Sequence, residues 1–224
     1  MMKKISKEEI INDIATVIRE PFEKRGFAQK RKRFFECEDD HRNVLQYEIS
    51  LSTLKGYFSM HLRLNILNKP LLKEINLILG KALHDAEYPY HESWSPEFIK
   101  KTISERIRNY FLFGLTDWRV FKRNDETLED FNNRFSVWFC NFDSIDDIEK
   151  FEIQLLDSVE YAVEWFSTVL KSNNWIIENT DYPALYFLKK QGDFDGLSKK
   201  YNELLSKHRV KKEAELFYKY LMES

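Results

Sequence analysis

Glu48, His61 and Arg63 stand in two segments whose side chains alternate strictly between apolar and polar. In residues 44–52, Leu45, Tyr47, Ile49 and Leu51 alternate with Gln46, Glu48, Ser50 and Ser52. In residues 57–66, Phe58, Met60, Leu62, Leu64 and Ile66 alternate with Ser59, His61, Arg63 and Asn65. A period of two predicts half-buried strands, and Thr53-Leu54-Lys55-Gly56 suits the hairpin between them. Pairing 52 with 57 sets Leu51 against Phe58, Ile49 against Met60, Tyr47 against Leu62 and Leu45 against Leu64, so one face is wholly apolar. The same register sets Glu48 opposite His61 and Gln46 opposite Arg63. A carboxylate beside an imidazole raises its pKa and makes an acid–base pair, with a nearby arginine to anchor an anion. Gln46, Glu48, His61, Arg63 and Asn65 therefore form a candidate site on the polar sheet face. The competing structural reading is a solvated face carrying ordinary ion pairs.

Three further groups of residues carry recognisable chemistry. Tyr88, Tyr90, His91 and Trp94 lie in one loop, Tyr88-Pro89-Tyr90-His91-Glu92-Ser93-Trp94, and aromatic side chains of this kind line pockets and partner surfaces. The run Lys30-Arg31-Lys32-Arg33 leads into Phe34-Phe35, a mixture that grips single-stranded nucleic acid. Glu36, Glu38, Asp39 and Asp40 follow at once, however, and favour a self-neutralising edge strand. Leu188 to Phe194 resembles the join of a helical hairpin, and a single unit of that kind caps a domain rather than forming an array.

Other chemistries are poorly served. The six glycines never cluster as a dinucleotide fingerprint or phosphate loop requires, and no nucleophile elbow is present. None of the five histidines has another four residues away, so no paired-histidine zinc helix exists. Cys37 and His41 alone are too few to hold a metal. No metal and no cofactor is expected.

Composition bounds the setting. The chain has 224 residues with 35 Lys and Arg against 37 Asp and Glu, a formal charge of −2 that argues against nucleic-acid binding through bulk charge. Six glycines and five prolines are too few for a sandwich, a propeller or a collagenous chain. Two distant cysteines suit a reducing compartment. No run approaches the roughly 18 apolar residues of a membrane span, and charges interrupt the first residues where a signal core would stand. A cytoplasmic protein without membrane association is the expectation.

The elements that must position the candidate sites follow from periodicity. Ser6 and Glu9 form a capping box before Ile10, Ile11, Ile14, Val17 and Ile18, predicting a helix over 7–24 with Gly26 as its stop. A strand over 31–38 should join the hairpin. Helices are expected over 71–83, from Pro96 to 113 and from Ser144 to 172, with strands at 115–123 and 134–142. A short helix to 190 and two more, near 195–207 and 210–222, complete a helical tail. The predicted class is α+β: an antiparallel sheet of three or more strands with helices on one face, as residues 1–178, and a C-terminal helical appendage, 179–224.

The order of features in the first third carries a family resemblance. A helix leads to Gly26-Phe27, a basic stretch enters Phe34-Phe35, and Val44-Leu45-Gln46-Tyr47-Glu48-Ile49-Ser50 is followed by Phe58-Ser59-Met60-His61-Leu62. This resembles the bacterial family known as domain of unknown function 4304, best over residues 8–68. The sequence departs from that pattern at Glu48 and His61, where the family would have Gln and Asn nearby. The resemblance implies α+β architecture and no established activity, and small bacterial α+β families of this sort include immunity proteins, an analogy of fold. The leading reading is a non-enzymatic, protein-binding module of immunity or regulatory type. The alternatives are a small-molecule enzyme using Glu48, His61 and Arg63, and a nucleic-acid binder using residues 30–33.

Overall fold

A computed structural model describes residues 6–54, 57–117, 121–133, 140–207 and 211–224. Helix α1 (Lys7–Glu23) starts on the expected capping box: Ser6 Oγ accepts from the Glu9 amide at 3.2 Å, and Glu9 accepts from the Ser6 amide at 2.7 Å. Gly26, with φ +80°, turns the chain out of the helix. Strands β1 (Ala28–Lys30), β2 (Phe34–Glu38), β3 (Val44–Leu54) and β4 (Tyr57–Leu67) follow. With β5 (Phe111–Asp117) they form an antiparallel sheet in the order β1-β2-β3-β4-β5, and β6 (Cys140–Phe142) also pairs with β4.

The described residues divide into two compact units. The first comprises residues 1–66 and 114–169; the second comprises 67–113 and 170–224. In the first, the apolar face of the sheet is covered by α1 and by α5 (Phe151–Leu170). Phe22 of α1 lies 4.9 Å from the Phe35 ring and 4.7 Å from Tyr47. Each of Leu45, Tyr47, Ile49, Leu51, Phe58, Met60, Leu62, Leu64 and Ile66 is buried, as the alternation requires. The adjacency of Phe34 and Phe35 resolves as alternation does: Phe35 enters the core at 1 % exposure, and Phe34 takes the polar face.

In the second unit, α2 (Lys69–His84) packs against α3 (Pro96–Arg106), α7 (Tyr182–Gln191) and α9 (Lys211–Met222). α6 (Trp175–Asn179) and α8 (Phe194–Leu205) pack on α7. Gly192, at φ +74°, closes α7 with a left-handed cap, and Asp193 Oδ1 caps α8 through the Gly196 amide at 2.9 Å.

Several elements differ from expectation for local reasons. The basic run does not begin a strand over 31–38: Arg31 adopts φ +49° and residues 31–33 turn β1 into β2. The helix expected to reach 113 ends at Arg106, because Asn109 Oδ1 accepts from the Phe111 amide at 3.0 Å and directs the chain into β5. The long helix from Ser144 is broken. Ser144 caps only a 3-10 turn, Ile145–Asp147, whose Asp147 carboxylate accepts from the Asp143 and Ser144 amides, both at 2.9 Å. Ile148 is then extended and Lys150 takes φ +45° before α5 starts. α4 (Leu128–Asn132) and α6 had no counterpart in the sequence reading. Trp118, Trp138, His208 and residues Lys55 and Gly56, where the hairpin connection is expected, lie outside the described residues.

One buried polar contact fastens α5 to the sheet. The Tyr47 hydroxyl donates to Ser158 Oγ at 2.7 Å, and Ser158 donates to the Leu155 carbonyl at 2.7 Å. Burial holds the Tyr47 hydroxyl protonated far above the ordinary tyrosine range. Ser158→Ala, which orphans that hydroxyl, is expected to destabilise the protein by about 1–3 kcal/mol. Tyr47→Phe combined with Ser158→Ala should recover most of the loss, since both polar partners are then gone. Urea unfolding of the three variants checks this.

Candidate functional site

Polar groups of β2, β3 and β4 are engaged with one another. β2 and β3 pair Glu36 with Gln46 and Phe34 with Glu48. Gln46 Nε2 donates to Glu36 at 2.7 Å, and Asn65 Nδ2 donates to Gln46 Oε1 at 2.9 Å, a hydrogen-bonded row across three strands. Glu48 is 4 % exposed. Its ion-pair partners are Arg33 at 3.4 Å and Arg63 at 4.0 Å.

The expectation for His61 is overturned. The His61 pKa is not raised: burial, and then the positive charge of Arg63, push it down to about 4. The imidazole is therefore neutral at physiological pH, since both burial and the neighbouring guanidinium disfavour its charged form. A neutral imidazole and a carboxylate held by two guanidinium groups are a poor general acid–base pair. The basic run is engaged likewise. Lys32 pairs with Glu8 of α1, and Arg33 lies over the Phe34 ring at 5.1 Å besides meeting Glu48.

The loop candidate has a different character. Tyr88, Tyr90 and Trp94 form a ladder that continues into α3: ring centroids are 4.4 Å apart for Tyr88–Tyr90, 6.1 Å for Tyr90–Trp94, and 4.8 Å edge-on for Trp94–Phe98. Trp94 and Phe98 are 39 % and 48 % exposed. Ser95 caps α3 by accepting from the Phe98 amide at 3.2 Å, which fixes the two outer rings on a helix start. His91 folds back onto its own loop, with Nδ1 2.8 Å from Ser93 Oγ, and takes no part in the ladder.

The inner end of the ladder is held by a group that the sequence reading did not single out. Glu213 of α9 is buried, and four donors surround its carboxylate. Arg106 approaches both oxygens, Nη1 at 2.5 Å and Nη2 at 2.6 Å. The Tyr182 hydroxyl donates at 2.8 Å, and the Tyr88 hydroxyl also donates. Burial alone pushes the Glu213 carboxyl up; the hydrogen bonds from Arg106, Tyr88 and Tyr182, with the Arg106 charge, outweigh it and hold the group below the ordinary carboxylate value. The same contacts, after burial, keep Tyr88 and Tyr182 protonated well above the usual range. The Tyr90 hydroxyl donates to the Leu83 carbonyl at 2.8 Å, tying the next rung to α2. A signal for Glu213 does exist in the sequence. It stands four residues before Phe217 and eight before Leu221, on the buried stripe of its helix, where a carboxylate requires partners.

Among the described residues no group of three or more His, Cys, Asp or Glu is placed to hold a metal ion, and no helix is long and apolar enough to cross a membrane. Compared with protein-family models, with curated proteins and with solved structures, the chain matches none.

Two outcomes are expected. Because the folded His61 pKa lies below the ordinary value of 6.5, its neutral form favours the fold. That contribution is complete above 6.5 and is lost as pH falls toward 4. An NMR titration should place the His61 midpoint near 4, and His61→Gln should lose less stability than the native chain between those pH values. Glu213→Ala should destabilise the protein by about 2–3 kcal/mol, less than the roughly 3–5 kcal/mol of a fully buried pair because part of the Arg106 side chain stays in water. Chemical denaturation measures it.

Proposed function

We propose that the protein is a cytoplasmic, non-enzymatic, protein-binding module, and that the Tyr88–Phe98 aromatic ladder is its contact surface. The observation that carries this reading is the pair of exposed rings, Trp94 and Phe98, set on an anchored base. Large aromatic side chains that are held rigid before binding lose little conformational freedom on contact, and they dominate the energetics of protein interfaces. The free thiol of Cys37 fits a reducing compartment.

Two alternatives are less well supported. An enzyme using Glu48, His61 and Arg63 must work with an imidazole kept neutral by burial and a carboxylate shared by two arginines. A nucleic-acid surface at residues 30–33 must free Lys32 and Arg33 from carboxylates of the same chain. Membership of the family known as domain of unknown function 4304, over residues 8–68, is part of the same proposal. It rests on the Gly26-Phe27, Phe34-Phe35 and Phe58 signature, and an immunity or regulatory role is the finer form of the reading.

Affinity capture from source cells tests it. The native chain should retain a stoichiometric protein partner. Trp94→Ala with Phe98→Ala should reduce capture by about tenfold or more, and Arg63→Ala should leave it unchanged. Capture of no partner, or equal capture by the double variant, would overturn the assignment.

A further inference from the structure

The second unit also contains a cleft of about 480 Å³, lined on its apolar side by Leu72, Ile75, Leu79 and Phe111 and on its polar side by Asn76 and Arg106, among others. Its volume lies within the range of small-molecule sites, which spans about 300–1,000 Å³, and such sites combine apolar walls with a few placed polar groups. The polar groups define the ligand. Arg106 gives one edge of its guanidinium, Nη1 and Nη2, to Glu213, and Nη1 lies 3.3 Å from the Tyr88 hydroxyl. Its remaining donors, Nε–H and the second Nη2 hydrogen, share one edge, and among the described residues no bond occupies that edge. Such a fork suits an oxygen with two lone pairs.

Charge decides which oxygen. Glu213 already neutralises Arg106, and the other cation lining the cleft, Lys207, is paired with Asp181 at 2.9 Å. A carboxylate ligand would add an uncompensated negative charge, whereas a neutral carbonyl adds none. Asn76, 8 % exposed, supplies the complement. Its Nδ2 donates to the Asn109 carbonyl at 2.9 Å, which leaves its own carbonyl oxygen as an acceptor for an N–H.

We propose that this cleft binds a small uncharged amide with an apolar tail: the tail on Leu72, Ile75, Leu79 and Phe111, the carbonyl on the Arg106 edge, and the amide N–H on Asn76. The proposal does not rest on the partner surface and is tested separately from it, although Arg106 also meets the Tyr88 hydroxyl at the base of the ladder.

Isothermal titration of the full chain with octanamide and with octanoate tests the proposal. Octanamide should bind saturably at one site per chain, and octanoate at least about tenfold more weakly, the cost of an unpaired charge. Asn76→Leu should weaken octanamide binding by about fivefold or more. Phe111→Ala, at a residue exposed enough to leave the core intact, should weaken it to a similar degree. Absence of saturable octanamide binding, octanoate binding as tight as octanamide, or native affinity in both variants would overturn it.

Discussion

A single buried carboxylate organises what the second unit presents. Glu213 has four acceptor positions, and two arginine nitrogens and two tyrosine hydroxyls fill them. A charge removed from water is tolerable only when it is satisfied in this way. The same satisfaction immobilises its donors: Tyr88 becomes the fixed first rung of the aromatic ladder, and Arg106 is held with one edge turned from Glu213. The ladder and the cleft wall therefore share one electrostatic support. Arg106 is the residue common to both, since it meets the Tyr88 hydroxyl and lines the cleft.

The first unit is organised differently. Its sheet is fixed by apolar burial on one face and by a hydrogen-bonded polar layer on the other. Phe22, Phe35 and Tyr47 form the contact of α1 with the sheet, and Ser158 adds a buried polar tie to α5. On the opposite face, Glu36, Gln46 and Asn65 bond in a row across β2, β3 and β4, while Glu48 draws Arg33 and Arg63 together. Each of these contacts consumes a group that catalysis would require free. Burial, and then the charge of Arg63, controls His61.

The sheet core was legible from the sequence because alternation over nine or ten residues leaves one solution for which side is buried. The α1 capping box was legible because it is purely local. Elements whose ends depend on a single polar side chain were not. Asn109 stops α3 with a side-chain bond, and Asp147 turns what reads as a helix start into a 3-10 turn. The loop aromatics were visible as a group, but their anchorage was not, since Tyr88 and Glu213 are 125 residues apart. Pairing at that separation is set by the packing of α2 against α9, which local periodicity does not encode. The face on which Glu213 sits was encoded, in its spacing from Phe217 and Leu221.

The central claim is that the protein meets its partner through the outer rings of the ladder. A photo-crosslinking phenylalanine derivative placed at position 98, and in a second chain at position 63 on the polar sheet face, addresses it directly in source cells. Irradiation should give one discrete protein adduct from position 98 and none from position 63. An adduct from position 63 without one from 98, or none from either, would contradict the account.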